Sequence, residues 1–452
     1  MTCSATDRST KGGYCLGKAA RLPYIEEVDI VRGSKYSDSE QSSPSAAPTP
    51  GTLGSAMQSK AFRRIFAGTF ASNIGTWMQN ITLIALAYRL TGSAWFTGVI
   101  TFAQLGPMLF LSPFGGAIAD RFNRRSVIIS MSVVQLVMSM VLAVVALADT
   151  PNQFVLVVVV ASIGCANAIA GPTMISLLPS LVPRQDLQPA IAINSVSLNA
   201  SRVVGPLLGG LLGSLAGASA VFVVNGLTYL FVVIAVLSVD IDFSPKGDKG
   251  DGPIEQMRQG MRAVRADRVI TRVIVSMAVL SMCSLIFIYQ MPLIAQEHFE
   301  LSGWKFNLLF ATFALGAALG ALSMGSFLSG HSRAKVTRVA LVVFAVALAV
   351  FGTDTILPLG FVAAFALGAS YFVIVTALST TLQMRAPDEV RGRIMGLWMM
   401  AWAGLVPLGA LVGGPIIDAI GIAAVLLFGA VVAAGLAVLI DLSEPEPESQ
   451  TV

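Results

Sequence analysis

Long apolar stretches alternate with short polar pieces along most of this chain. Each stretch is long enough for a helix to cross the ~30 Å hydrocarbon core of a membrane. The stretches lack the two-residue alternation of membrane β-strands, and a helix satisfies its own backbone hydrogen bonds in lipid. The pattern predicts an all-α membrane protein with twelve transmembrane helices, near residues 65–88, 95–118, 126–148, 153–176, 190–214, 219–239, 269–294, 305–328, 337–353, 357–380, 394–416 and 420–440.

The two halves of the chain match each other at a constant offset of 204 residues. Five ungapped pairs carry the match: Gly116 with Gly320, Pro183 with Pro387, Gly205 with Gly409, Gly209 with Gly413, and Gly210 with Gly414. Such a repeat predicts two pseudo-symmetric six-helix bundles related by an axis along the membrane normal. It also predicts a substrate site between the bundles near the midplane, exposed to each side in turn as the bundles rock.

Composition shifts set the predicted domain boundaries. A Ser-, Thr- and Pro-rich start predicts a disordered tail, and Met57 is a candidate natural start. The predicted order is a disordered cytoplasmic tail over 1–57, bundles over 58–242 and 269–442 joined by a cytoplasmic linker over 243–268, and an acidic tail over 443–452.

The linker contains a predicted amphipathic helix. Its apolar positions, Ile254, Met257, Met261 and Val264, share one face, and arginines occupy another face. Such a helix either lies on an anionic membrane surface or forms a solvated connection between the bundles.

Lys and Arg are concentrated on one side of the predicted membrane. An even number of spans puts both termini on that side, and positive residues favour the cytoplasm, so we predict cytoplasmic termini in the inner (plasma) cell membrane. We call this the inner side. Its short loops hold ten basic residues and the outer loops two: Arg121, Arg124, Arg125, Arg184, Arg333, Lys335, Arg338, Arg385, Arg391 and Arg393 against Arg89 and Lys305.

Composition and side-chain spacing argue against other classes of protein. Charged residues make up 12% of the chain and hydrophobic residues 55%, whereas soluble domains carry about 25% charged residues. The four cysteines form no CxxC or Cys/His pattern, and the two histidines are far apart, which predicts no metal site and no cofactor. Without a nucleophile–base pair, a phosphate loop or a soluble domain, the chain is predicted to be neither an enzyme nor a nucleic-acid partner.

The loop after the second span carries a recognisable motif. It resembles the signature of the major facilitator superfamily at this place: Gly, three residues, Asp, a basic residue and then a basic pair. Here it reads Gly116-Ala-Ile-Ala-Asp120-Arg121-Phe-Asn123-Arg124-Arg125, with Asn123 where Gly is usual and Met324 where the second half would repeat the Asp.

Each residue of this latch loop has an expected role. Gly116 allows two helices to approach closely. The resemblance implies that Asp120 pairs with an arginine of the neighbouring bundle and latches one conformation. Arg121, Arg124 and Arg125 are expected to anchor the loop to anionic lipid, although ordinary positive-inside flanking is the alternative.

Span five carries a second motif, Gly205-Pro206 followed by Gly209 and Gly210. It resembles the glycine-rich motif on span five of superfamily exporters. Its glycines and proline favour a helix that can kink and pack closely at the bundle interface. The motif favours export over uptake, with general small-residue packing as the alternative.

Arg202 lies deep in span five, where a charge costs at least about 2.5–3.5 kcal/mol on insertion scales. It is therefore expected to face a cavity or a partner, on one helical face with Ser195 and Asn199. For the other polar and aromatic candidates, interhelical hydrogen bonding or packing is the alternative. The predicted substrate cavity comprises Asn73, Trp77, Asn80, Gln104, Asn167, Asn199, Arg202, Tyr289, Gln290, Tyr371, Trp398 and Trp402.

The superfamily resemblance covers about 385 residues. Short strings also resemble the branch that contains the enterobactin exporter and macrolide efflux proteins: Gly75-Thr-Trp77-Met-Gln79, Leu-Val-Pro-Arg-Gln-Asp-Leu and Pro387-Asp-Glu-Val-Arg391-Gly-Arg393. The resemblance implies a monomeric secondary active exporter of a hydrophobic or amphiphilic small molecule, such as a drug, macrolide, siderophore or secondary metabolite.

The energy source is expected from the family to be the proton gradient. No Asp or Glu lies at the middle of any predicted span, although proton antiport needs a titratable group that both sides can reach. An uptake permease or a lysolipid flippase on the same fold is the alternative function.

Overall fold

The computed structural model is helical through nearly all of the part of the chain that it describes. That part comprises residues 52–148, 150–241, 243, 253–301, 304–325, 331–387 and 390–440. Inside helices, the description leaves out the side chains at 112–117, 119–121, 188, 199, 253–254, 256, 304 and 325. The two predicted tails and residues 244–252 of the predicted linker lie outside the described residues.

Fifteen helices follow one another in the described part of the chain. They are α1 (Leu53–Ala56), α2 (Lys60–Thr91), α3 (Ala94–Arg121), α4 (Arg124–Val145), α5 (Gln153–Leu177), α6 (Leu187–Leu237), α7 (Pro253–Ala266), α8 (Arg268–Cys283), α9 (Met291–Glu297), α10 (Trp304–Gly325), α11 (Arg333–Thr353), α12 (Leu357–Arg385), α13 (Arg391–Met399), α14 (Val406–Ile420) and α15 (Ile422–Leu439).

These helices agree with the predicted spans. Nine helical stretches in the described residues are long and apolar enough to cross a membrane. One of them contains two spans, because the backbone of α6 leaves the helical conformation at Gly217. The nine stretches therefore contain ten spans. Two more are α2, whose many polar residues lower its hydropathy, and the broken pair α8–α9, so the helices are consistent with twelve spans.

The turn at Gly217 shows the internal repeat at the level of the backbone. Gly217 has φ 80°, and Gly421, 204 residues later, has φ 86° between α14 and α15. Both values lie in the left-handed region, where glycine has no Cβ to clash. The repeat therefore extends to the tight turns that join spans five and six and spans eleven and twelve.

Two of the predicted spans are interrupted, which the sequence pattern did not predict. Span seven ends as α8 at Cys283, passes through a 3-10 turn over Leu285–Ile288, and resumes as α9. Span eleven contains a π-helical turn over Met400–Gly404 between α13 and α14. The length of an apolar run predicts the length of a span, but it does not indicate where the hydrogen-bonding pattern of the helix changes. The two breaks could therefore not be predicted from the sequence.

The core is divided unevenly between the halves. The largest cluster of buried side chains fills the second half, around Phe287, Phe344 and Phe351. It also takes in Ile81 and Tyr88 of α2, so the halves share a core at the end where α2 finishes. The first half has two smaller clusters of its own, one at each end. The halves are thus joined by apolar packing at the predicted outer end.

The amphipathic helix predicted in the linker is present as α7. Val264 is buried, and a Cβ added at Gly260 would lie 3.2 Å from Cβ of Arg393, so this face rests on α13. Met257 and Met261 of the predicted apolar face are exposed, so the two predicted placements, on a membrane surface or as a solvated connection, both stay predictions. Asp267 then caps α8 and pairs with Arg385 of α12 at 2.7 Å, which fixes the linker to the second half.

Candidate functional site

An aromatic cage around Arg202 lies at the junction of the two halves. The guanidinium carbon of Arg202 is 5.5 Å from the ring centre of Trp77, 5.4 Å from that of Phe372 and 5.6 Å from that of Trp402. All three distances fall within the ~6 Å range of cation–π attraction. Trp77 and Arg202 belong to the first half, and Phe372 and Trp402 to the second. Side chains of α2, α6, α12 and the π turn therefore meet around the charge of Arg202.

Glycines of span five bring Arg202 to this place. An added Cβ at Gly205 would lie 2.5 Å from Cβ of Trp77 and 2.9 Å from the carbonyl oxygen of Ile74. One turn further, an added Cβ at Gly209 would lie 3.0 Å from Cα of Met78. Without side chains at these positions, α6 packs directly on the α2 backbone. The glycine motif found in the sequence is therefore a packing surface beside the cage.

The interrupted spans place the aromatic groups of the second half. The indole nitrogen of Trp402 donates to the Tyr371 hydroxyl at 2.7 Å. The Ser281 hydroxyl donates to the Trp402 backbone carbonyl at 3.0 Å, which supplies a partner inside the π turn. Tyr289 ends the 3-10 turn of span seven and lies near Arg202. Such breaks are tolerated at membrane depth where they line a cavity or are buried in protein.

The halves also meet at the predicted outer end, in a set of contacts that we call the outer closure. The Asp418 carboxylate of α14 accepts bonds from the Ser93 hydroxyl at 2.7 Å and from the backbone N–H groups of Ala94 at 2.8 Å and Trp95 at 3.1 Å. The amide of Gln290 donates to the Ala94 carbonyl at 3.1 Å. A carboxylate at a helix N-terminus is favoured by the helix dipole. The first turn of α3 is therefore held by the second half.

Two further contacts reinforce the outer closure. A Cβ added at Gly414 of α14 would lie 2.7 Å from Cα of Trp95, so α14 and α3 touch at the backbone. The Tyr88 hydroxyl of α2 donates to Glu297 of α9 at 3.4 Å. Together with the shared core, these contacts leave the cage closed toward the predicted outer side.

Comparison with known proteins decides the family. The family described as "Transmembrane secretion effector" matches residues 52–452, which is most of the chain. The chain belongs to this family. It is a major facilitator superfamily transporter, and both the described helices and the solved structures of similar fold agree with that assignment.

The relatives are distant. The enterobactin exporter EntS of Shigella boydii serotype 4 (strain Sb227) is 24% identical over 338 residues, which cover 75% of this chain and 80% of that protein. The crystal structure of the nucleoside transporter NupG matches with a TM-score of 0.68 at 14% identity, covering 84% of this chain and 98% of NupG. A bacterial homolog of the human lysosomal transporter Spinster, solved in an inward-facing and unoccupied conformation, matches with a TM-score of 0.61 at 16% identity. The match covers 84% of this chain and 94% of the homolog.

The latch loop of this transporter is described only in part. Gly116, Asp120 and Arg121 lie at the end of α3 in its backbone, but their side chains are outside the described residues. Arg124 is buried and donates to the Ser176 carbonyl at 3.4 Å. Arg125 donates to the Leu237 carbonyl at 2.8 Å. These contacts tie the loop to its own half, so the lipid anchoring and the latch stay predictions.

The other predicted cavity residues of the transporter fall into three groups. Gln104 donates to Asn80 between α3 and α2, Gln290 belongs to the outer closure, and Trp398 is 2% exposed within the core; these side chains are engaged in hydrogen bonds or packing. Asn73 and Asn167 are half-buried. The backbone of Asn199 lies in α6, and its side chain is outside the described residues. Of the predicted set, the structure brings together Trp77, Arg202, Tyr289, Tyr371 and Trp402.

Sequence reasoning missed Phe372 and a buried polar network in the first half. Phe372 is next to the predicted Tyr371, but an aromatic residue in an apolar run gives no sign of its direction. In the network, Gln79 is 1% exposed and accepts from Asn225 at 2.9 Å and from Ser139 at 3.1 Å. The sequence did contain a signal for this network, because its three polar residues lie in three different apolar spans. Polar side chains inside a membrane form hydrogen bonds between helices. In the described residues, no cluster of His, Cys, Asp or Glu has a metal-binding arrangement.

The outer closure yields a prediction for Asp418→Asn. The variant keeps one acceptor oxygen but loses the charge and at least one of the three hydrogen bonds, and bonds to charged groups contribute about 1.5–3 kcal/mol each. We expect a membrane-impermeant maleimide to label a cysteine at Ile81, which is 4% exposed beneath the closure, about tenfold faster in this variant. The background lacks the native cysteines.

Asp354→Asn is the matched control for this experiment. Asp354 accepts from the Ile356 backbone N–H at 3.1 Å within the second half alone, so its loss should leave the labelling rate unchanged. Equal labelling rates in wild type and Asp418→Asn would contradict the outer closure. Equal acceleration by both variants would show that the effect is not specific to Asp418.

Proposed function

We propose that this transporter is a secondary active exporter that moves a hydrophobic or amphiphilic small molecule out of the cell by alternating access. The observation that carries the proposal is the aromatic cage, in which one half-buried charge and three rings from both halves meet at the junction of the halves. A site made by both halves changes its geometry when the halves rock, as alternating access requires. The substrate classes proposed are drugs, macrolides, siderophores and other secondary metabolites.

One comparison supports the outward direction. The enterobactin exporter EntS matches over 80% of its own length. The outer closure corresponds to the state in which an exporter loads from the cytoplasm, a state through which an importer also passes. We further propose a multi-pass location in the cell membrane with both termini cytoplasmic, a monomeric unit in contact with membrane lipid, the proton gradient as energy source and no nucleic-acid partner.

A transport screen in cells tests this function. Cells lacking their main efflux pumps, with and without the transporter, are loaded with siderophores, macrolides and amphiphilic dyes. We expect at least one compound to accumulate less when the transporter is expressed, and the difference to disappear when a protonophore collapses the gradient. Increased accumulation would indicate uptake instead, and no change for any compound would contradict export.

A further inference from the structure

The cage presents a fixed positive charge within aromatic walls. Arg202 is surrounded by Trp77, Tyr289, Tyr371, Phe372 and Trp402, and it carries the one formal charge among these six side chains. Arg202, Trp77, Tyr289 and Trp402 are half-buried rather than fully buried, so part of each side chain faces open space. A ligand that reaches this space meets a guanidinium and ring faces together.

We propose that the cage selects aromatic compounds with a negative charge, such as a carboxylate or a phenolate, over their cationic counterparts. This inference rests on the proposed function only in taking the cage as the transport site. A guanidinium stays protonated and presents five N–H donors in one plane, which fits the two oxygens of a carboxylate. The rings of the cage are able to stack on the aromatic body of the same ligand.

The distribution of acidic residues supports an anion in a second, independent way. All 25 Asp and Glu residues of the chain lie outside the middle of the predicted spans. A cationic ligand at membrane depth needs a carboxylate or an empty aromatic cage to replace its water. In this cage the place of the cation is taken by Arg202. A positively charged ligand would therefore meet a like charge in a medium that screens it poorly.

Outward movement of an anion also agrees with the electrical gradient. The membrane potential is negative inside, so it favours the exit of negative charge. Such a substrate requires less coupling to protons than a cation does. The absence of a carboxylate at midspan, which is unexpected for a proton-driven exporter of cations, follows naturally from this class of substrate.

A charge series on one fluorophore tests the inference. The probes are dansylglycine, dansylamide and dansylcadaverine, which are anionic, neutral and cationic at pH 7 and share the same aromatic group. Binding to the purified transporter in lipid nanodiscs is followed by fluorescence anisotropy, with empty nanodiscs as the control for partitioning. We expect dansylglycine to bind wild-type protein at least about tenfold more tightly than the other two.

Variants of Arg202 then connect the preference to the cage. Arg202→Gln should weaken dansylglycine about 10- to 100-fold and leave dansylamide within about twofold. Arg202→Lys, which keeps the charge but not the planar fork, should fall between. The matched control is Arg338→Gln, because Arg338 donates to the Ala437 and Ile440 carbonyls far along the chain from the cage residues.

The outcomes separate this inference from the proposed function. Equal affinities across the charge series in wild type, or tighter binding of dansylcadaverine, would overturn it, and this measurement needs no variant to fold. A uniform loss of all three probes in Arg202→Gln would also overturn it, because it would assign Arg202 to structure alone. Selective binding of dansylglycine, together with no compound exported in the cellular screen, would leave the inference standing and contradict export.

Discussion

Replacing Arg202 by alanine is expected to abolish the proposed export, to the level of cells without the transporter. The change removes three cation–π contacts, which contribute roughly 0.5–2 kcal/mol each depending on their solvation. It also leaves Trp77 and Trp402 without the group on which they meet. Both the ligand contact and the connection between the halves are lost together. The measurement is the efflux rate of whichever compound the cellular screen identifies.

Two further variants distinguish a transport role from a folding role. Arg202→Lys should retain export at a level about tenfold lower, because a lysine keeps the charge but loses the planar, multiply donating head. Arg338→Ala should export normally. The amount of each variant in the membrane and its elution as a single species are measured in parallel. Normal export by Arg202→Ala, at equal abundance, would return Arg202 to a packing role.

Substitution of Gly205 by valine is expected to produce the largest loss of stability. Even the first added carbon meets Cβ of Trp77 at 2.5 Å and the Ile74 carbonyl at 2.9 Å, so α6 must move away from α2. Overpacking of this kind costs about 1–3 kcal/mol in the free energy of unfolding. We expect Tm of the purified protein to fall by about 2–6 °C, and export to fall because Trp77 leaves the cage.

Gly213→Val is the matched control on the same helix. An added Cβ at Gly213 would have its nearest contact at 3.7 Å, with Val221, which is an ordinary van der Waals distance. Tm and export should therefore stay close to wild type. If both valine variants lost the same amount of stability, helix propensity rather than packing on α2 would be the cause.

Much of the fold was predictable because the membrane restricts what a sequence can do. Span length, charge asymmetry and the offset of 204 residues each act over long stretches, and the turns at Gly217 and Gly421 extend the same register. The glycines of span five were also informative, since a missing side chain has a direct consequence for how closely helices approach. Arg202 was identifiable because a charge in an apolar span needs an environment made for it.

The partners of Arg202 were only partly predictable. Trp77 and Trp402 were selected as aromatic groups near midspan, but Phe372 was not. In a fully apolar helix, the sequence does not indicate which side chains face the junction of the halves. The position of Trp402 further depends on a π turn whose extra residue rotates everything that follows it. Gln290 was predicted to line the cavity. It follows the break in span seven, and its amide donates to the Ala94 carbonyl in the outer closure.

Flux into inside-out membrane vesicles, where export appears as uptake, tests the proposed transport most directly. A compound from the cellular screen is supplied outside, and an acid-inside pH gradient is imposed. We predict concentrative uptake that depends on the gradient, is absent with Arg202→Ala and is unaffected by Arg338→Ala. Uptake at the same rate with Arg202→Ala, or no gradient-dependent uptake by the wild-type transporter, would contradict proton-driven export through the cage.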